Sequence, residues 1–125
     1  MNSLVEKLKP LLSKADITFR EDENSVFIYL PNYYGELQVS DLENNDDIVG
    51  LVGSGWHTHS ECLGDPDISA EQKVLEMVKN IFSGKLLLIE EKEEGKEARK
   101  TIEENLEHYV KWLPPGTEYK IYNET

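Results

Sequence analysis

The residues best suited to chemistry lie together in the short segment Gly55-Trp56-His57-Thr58-His59-Ser60-Glu61. In an extended strand, successive side chains point to opposite faces, so His57, His59 and Glu61 would share one face. Two imidazoles at this spacing can reach a common metal ion, and a carboxylate completes a set of two histidines and one acid. The pattern therefore indicates a zinc site in a small hydrolase that uses metal-activated water as its nucleophile.

The other interpretation of His57 and His59 is that they are structural or surface residues, hydrogen-bonded to carboxylates nearby. A His-x-His pair without a matched third ligand is more often of this kind than a metal site. Asp65 and Asp67 follow closely and could add a ligand, a partner for a ligand or a general base. We keep the metal site as the alternative and expect a protein with neither catalytic residues nor a cofactor.

Charge is distributed unevenly along the chain. The 125 residues contain 25 Asp and Glu against 13 Lys and Arg, which gives a formal net charge of −12. The whole excess lies between Glu21 and Glu71, where twelve acids occur without any Lys or Arg. Ordinary nucleic-acid binding needs a basic surface that displaces counterions from phosphate, so this charge distribution excludes it. Attraction to an anionic membrane surface is equally disfavoured.

Length and composition predict a single domain spanning residues 1–125. The one cysteine, Cys62, excludes an internal disulfide framework and is typical of a reducing compartment. The first residues lack the apolar run of a signal peptide, and no apolar stretch approaches the ~20 residues that cross a bilayer. We therefore expect a cytoplasmic protein that does not bind membranes.

The elements that would position the histidine segment follow an order typical of an α+β domain, with a largely antiparallel sheet and about three helices. Leucines at helical spacing predict a helix over residues 3–14, which Pro10 should kink or divide. Alternating or dense apolar runs predict strands near 17–19, 26–30, 37–39 and 48–52. Ser69 and Gln72 form a capping pair that begins a helix over 69–82.

The last third of the chain is harder to interpret. Residues 86–89 form an apolar strand, and residues 91–101 suit a helix by composition, although Gly95 lies where a hairpin would turn. We favour the hairpin. Ile102 is expected to open a third helix that continues to Leu113, and Tyr119 and Ile121 predict a short final strand.

A small acidic chain with a Trp-His-Thr-His-x-acidic strand (Trp56 to Glu61) and an α+β pattern resembles bacterial immunity proteins, which neutralise a cognate toxin secreted between competing cells. The helix and hairpin from Ser69 to Ile102 add to the likeness. The resemblance implies an interaction surface and no catalytic residues. An array of carboxylates can occupy the basic cleft of a nuclease by mimicking the charge pattern of nucleic acid.

The resemblance and the acidic segment together predict a basic protein partner, such as a toxin. The expected partner-binding residues are Asp41, Glu43, Asp46, Asp47, Trp56, His57, His59, Glu61, Asp65 and Asp67. The alternative is an acidic face that only keeps the protein in solution. Tyr33 and Tyr34 are either a further aromatic anchor for a partner or a cover for the edge of the sheet.

Overall fold

The structure is a computed structural model that describes residues 3–43, 46–63 and 66–123. Within these ranges the chain forms three α-helices and two antiparallel sheets, which confirms the α+β prediction. The helices are α1 (Leu4–Lys14), α2 (Ala70–Phe82) and α3 (Leu106–Lys111). The strands are β1 (Phe19–Asp22), β2 (Ser25–Tyr29), β3 (Glu36–Asp41), β4 (Asp47–Leu51), β5 (His57–Thr58), β6 (Leu87–Glu93), β7 (Arg99–Glu103) and β8 (Thr117–Ile121).

The first sheet has five strands in the order β1-β2-β3-β4-β5, each antiparallel to its neighbour. Strand alternation places a set of fully or almost fully buried aliphatic side chains on one face. They are Val26, Ile28, Leu37, Val39, Val49 and Leu51. Helix α1 covers this face because its own apolar residues recur at helical spacing and join the same core.

Pro10, predicted to kink or divide the first helix, does not divide it, because α1 runs without a break from Leu4 through Lys14. Pro10 lies on the exposed side of the helix, where its ring meets little other structure. Leu8 and Leu12, one on either side of it in sequence, are completely buried. Their burial against the sheet favours a continuous helix despite the backbone donor that proline lacks.

Helix α2 packs beside α1 and closes the same core. The hydroxyl of Ser69 accepts a hydrogen bond from the backbone N of Gln72 at 3.3 Å, which confirms the predicted start. One face of α2 is then buried, with Val74, Val78 and Ile81 fully enclosed. This amphipathic pattern explains why the helix was readily predicted.

The second sheet has three strands in the order β7-β6-β8. The predicted hairpin is confirmed, since β6 and β7 pair antiparallel and Gly95 lies in the connection with a φ of +80°. Ile102 is not helical, however. It lies in β7 opposite Leu88, and both side chains are buried in the main core. Helix α3 therefore begins only at Leu106. The predicted final strand is confirmed as β8, and the structure shows that it pairs with β6.

Tyr34 joins the two sheets. Its ring is completely buried, and its hydroxyl lies 2.7 Å from the carbonyl oxygen of Ile89 and 3.0 Å from that of Thr101. Burial raises the pKa of this phenol well above its usual value. Tyr33, by contrast, is fully exposed, so of these two tyrosines Tyr33 alone is available as an aromatic anchor for a partner.

Among the described residues, no helix combines the length and the apolar character needed to cross a membrane.

Candidate functional site

Two turns lie at the same end of the five-stranded sheet, because the register of the strands places them there. Asp22 pairs with Ser25 at the β1–β2 turn, and Asp41 pairs with Asp47 beside the β3–β4 connection. Ser25 in turn pairs with Ser40, which brings the two turns side by side. The short 3-10 helix Ser60–Cys62 is held at this end through contacts with Asp47. We call the exposed carboxylates gathered here the acidic end: Asp22, Glu23, Glu43, Asp46 and Glu61.

Few positive charges lie close to the carboxylates of the acidic end. Within the described residues, none of the five forms an ion pair with Lys or Arg. Asp46 lies 3.5 Å from Nδ1 of His59, which is charged only when the imidazole is protonated. Like charges placed at one end of a sheet in this way raise the local negative potential.

Asp41 and Asp47, also predicted to bind the partner, hold the fold at this end. Asp41 Oδ1 accepts hydrogen bonds from the backbone N of Leu4 at 2.9 Å and of Val5 at 3.4 Å, where the first turn of α1 has unpaired donors. Asp47 is only 7% exposed, and its carboxylate accepts hydrogen bonds from the backbone N (2.7 Å) and the hydroxyl of Ser60. These two acids fix the backbone beneath the acidic end.

The histidine segment does not form the continuous strand on which the metal hypothesis depends. Strand β5 ends at Thr58, and the chain then enters the 3-10 helix, so Glu61 does not continue the alternation. The rings of His57 and His59 have centroids 6.1 Å apart. Nδ1 of His57 lies 3.1 Å from the carbonyl oxygen of Gly55, and that of His59 contacts the carbonyl oxygen of Asp47. In the part of the chain described, no three or more His, Cys, Asp or Glu side chains are placed to hold a metal ion.

The remaining predicted site residues are spread more widely. Trp56 is half-buried and packs against the main core, so this side chain contributes to the packing of the fold. His57 is exposed on β5, and His59 is half-buried beside the acidic end. Asp67 is exposed, whereas Asp65 lies outside the described residues.

A cavity of about 680 Å³, not predicted from the sequence, lies between α3 and the second sheet. We call it the α3 pocket. Strands β6 and β7 line it with Glu91, Glu93, Arg99, Thr101 and Glu103. The turn between these strands adds Lys96 and Glu97, and β8 adds Thr117. The other lining residues lie in and after α3: His108, Tyr109, Trp112, Leu113 and Pro114. Trp112 at the edge of the pocket is 71% exposed. A tryptophan one residue before the predicted end of the third helix is the sequence signal that could have indicated this pocket.

One carboxylate in the floor of the α3 pocket is almost buried. Glu91 is 9% exposed, and its Oε1 accepts a hydrogen bond from Nε of Arg99 at 2.7 Å. Its Oε2 accepts a hydrogen bond from the hydroxyl of Tyr109. Burial, together with this contact to Glu91, raises the pKa of the Tyr109 phenol far above its usual value. The pair of contacts ties α3 to the sheet.

Comparison with known proteins gave no match to a family model, to a curated protein or to a solved structure. The function of the chain is therefore inferred from the placement, burial and charge of its side chains.

Proposed function

We propose that the protein is a non-catalytic binding protein whose acidic end docks onto a basic protein partner, in the manner of an immunity protein that neutralises a basic toxin such as a nuclease. The observation that carries the proposal is the gathering of five exposed carboxylates at one end of a sheet, none paired with Lys or Arg among the described residues. The single unpaired cysteine, Cys62, is in keeping with a complex that forms in the cytoplasm.

Electrostatics favour fast association at such a surface. Carboxylates without local cations attract an incoming basic surface and steer its approach, which raises the association rate constant. The Lys and Arg side chains of the partner relieve the repulsion among the carboxylates when they bind. Because salt screens charges over a Debye length of about 10 Å at 0.1 M, the association rate should fall as ionic strength rises.

The described backbone beneath the acidic end is held by hydrogen bonds within the chain itself. Asp41 holds the start of α1, and Asp47 holds the backbone and hydroxyl of Ser60. A surface that is already ordered loses less conformational entropy on binding than a flexible one. The two buried or half-buried acids thus support the exposed ones without competing for the partner.

The test uses the basic protein encoded by the neighbouring reading frame as the probe, with association measured by stopped-flow fluorescence at 50 and 300 mM NaCl. The double variant Glu43→Lys/Glu61→Lys reverses two exposed charges of the acidic end. We expect association to slow by about tenfold or more at the lower salt concentration, and the difference from wild type to shrink at the higher one.

The matched control is the double variant Glu76→Lys/Glu118→Lys, which changes the net charge equally at two exposed positions outside the acidic end. It should slow association by no more than about twofold, because long-range steering is mostly screened. Equal slowing by both double variants would assign the effect to net charge alone. Failure of the wild-type protein to bind, or a neighbouring frame that encodes no basic protein, would overturn the proposal.

A further inference from the structure

The charges that line the α3 pocket are only partly compensated. Glu91 is paired with Arg99, and Glu93 lies 3.1 Å from Nζ of Lys96. Glu97 and Glu103 line the same cavity, and neither has a Lys or Arg partner within the described residues. Both basic side chains of the pocket are thus already engaged, and two carboxylates remain uncompensated. An anionic ligand would be repelled, whereas a cation would be attracted.

The walls of the pocket add features that suit an organic cation. Trp112 presents an exposed indole, and the face of an indole attracts cations more strongly than other aromatic rings do. Nζ of Lys111 lies 5.9 Å from the centre of this ring, so a ligand cation would take the place of this ammonium group on the indole.

We propose that the α3 pocket binds the guanidinium group of an arginine side chain presented by a protein partner. Guanidinium is planar, stacks on aromatic rings and offers five N–H donors, so it can contact carboxylate and indole together. The cavity, at about 680 Å³, has the volume of a typical ligand site and has room for the residues that flank the arginine. Naming a protein as the bearer of the arginine rests on the proposed function, but the affinity of the pocket for guanidinium does not.

The experiment is a two-dimensional NMR titration of the full chain with N-acetyl-arginine methylamide. The neutral isostere N-acetyl-citrulline methylamide and the lysine analogue serve as matched ligands. Amide shifts should move in β6, β7 and α3, and saturation should occur in the millimolar range. We expect the citrulline compound to bind about tenfold more weakly, since it lacks the charge. Equal binding of citrulline would overturn the proposal, and equal binding of lysine would overturn the choice of arginine.

Variants locate the binding within the pocket. Glu103→Gln keeps an acceptor for the Thr101 hydroxyl, now 2.7 Å from Glu103 Oε2, while removing the charge, and should weaken arginine binding about fivefold. Glu104→Gln, an exposed neighbour that does not line the cavity, is the control and should bind like wild type. Trp112→Leu should weaken binding about threefold. If Glu103→Gln does not fold, Glu97→Gln in the exposed turn replaces it. If the folded variant, Glu103→Gln or Glu97→Gln, binds N-acetyl-arginine methylamide as tightly as wild type, the proposal is overturned.

The same titration separates this proposal from the proposed function. Glu43→Lys/Glu61→Lys should leave the binding of N-acetyl-arginine methylamide within about twofold of wild type, even though it slows association with the basic protein. Loss of arginine binding with intact capture of the basic protein refutes only the pocket. Intact arginine binding without capture of the basic protein refutes only the acidic end.

Discussion

Each of the two sheets contains one buried carboxylate, and different kinds of donor stabilise the two. Asp47 in the first sheet is 7% exposed and accepts hydrogen bonds from the neutral backbone N and hydroxyl of Ser60. Glu91 in the second sheet is 9% exposed and is held by Arg99 and Tyr109. The side chain of Arg99 is itself 75% exposed, so one half of this ion pair faces water. Burial of an acid thus does not require a cation when fixed neutral donors reach it.

This difference bears on what each region offers to a partner. Among the described residues no Lys or Arg pairs with Asp47 or with the acidic end, so positive charge within the chain does little to reduce the negative potential there. In the second sheet, Arg99 and Lys96 neutralise part of the charge, and the remaining acids lie inside a cavity bordered by Trp112. The first region suits long-range attraction, whereas the second suits recognition of one cationic group.

The largest effect is expected from removing the carboxylate that has only neutral partners. Asp47→Ala leaves the backbone N and hydroxyl of Ser60 unpaired in a buried setting, which should lower the free energy of unfolding by about 3 kcal/mol. Urea denaturation followed by circular dichroism measures this, and 0.5 M NaCl should not change it. Glu43→Ala, at an exposed acid of the same end, should stay within about 0.5 kcal/mol of wild type. Similar losses for both would show that Asp47 is not a structural acid.

Glu91→Ala should cost less, about 2 kcal/mol, because the exposed guanidinium of Arg99 can turn to water when its partner is removed. The hydroxyl of Tyr109 accounts for most of the loss, since it stays buried without an acceptor. A double-mutant cycle with Arg99→Ala should give a coupling that shrinks in 0.5 M NaCl. If 0.5 M NaCl leaves the coupling energy between Glu91 and Arg99 unchanged, this pair does not behave as an ion pair. The proposed difference between the buried carboxylates of the two sheets would then be refuted.

The smallest effect concerns Tyr109 at alkaline pH. Its pKa is raised in the folded state, so the phenol is protonated there while the unfolded chain begins to ionise near the usual value of 10.0. The unfolded state then binds fewer protons, and stability falls as pH rises above about 10. Tyr109→Phe should show a shallower fall between pH 10 and 11 in urea denaturation, although its stability at pH 7 is lower. Tyr119→Phe, at a more exposed neighbouring ring, is the control and should keep the wild-type slope.

Elements with strong local signals could be predicted from the sequence. The capping pair and regular apolar spacing of α2 each depend only on residues near in sequence, and so does the turn at Gly95. Ile102 shows where this fails. Its spacing to later apolar residues fits a helix, but pairing with Leu88 and burial in the main core place it in a strand. Long-range burial overrides local periodicity at that position.

The roles of adjacent acids could not be predicted because they depend on strand register. The apolar pattern predicts a fourth strand over 48–52, but β4 begins one residue earlier, at Asp47, and this residue turns inward while Asp46 stays exposed. In the same way, Glu61 was expected to continue an extended strand, yet the chain turns into a 3-10 helix after His59. The α3 pocket needs β6, β7, β8 and α3 together, and no short pattern reports such an assembly.

The borders of the five-stranded sheet also govern how copies of the chain meet one another. One border is β1, which carries Arg20, Glu21 and Asp22 in succession, and the other is β5, which is only two residues long. A strand from another molecule would have to pair beside a run of charged side chains at β1, or find too few backbone partners at β5 to hold it. Crowded molecules should therefore resist joining their sheets into fibrils, even though the interior of this sheet is rich in β-branched residues.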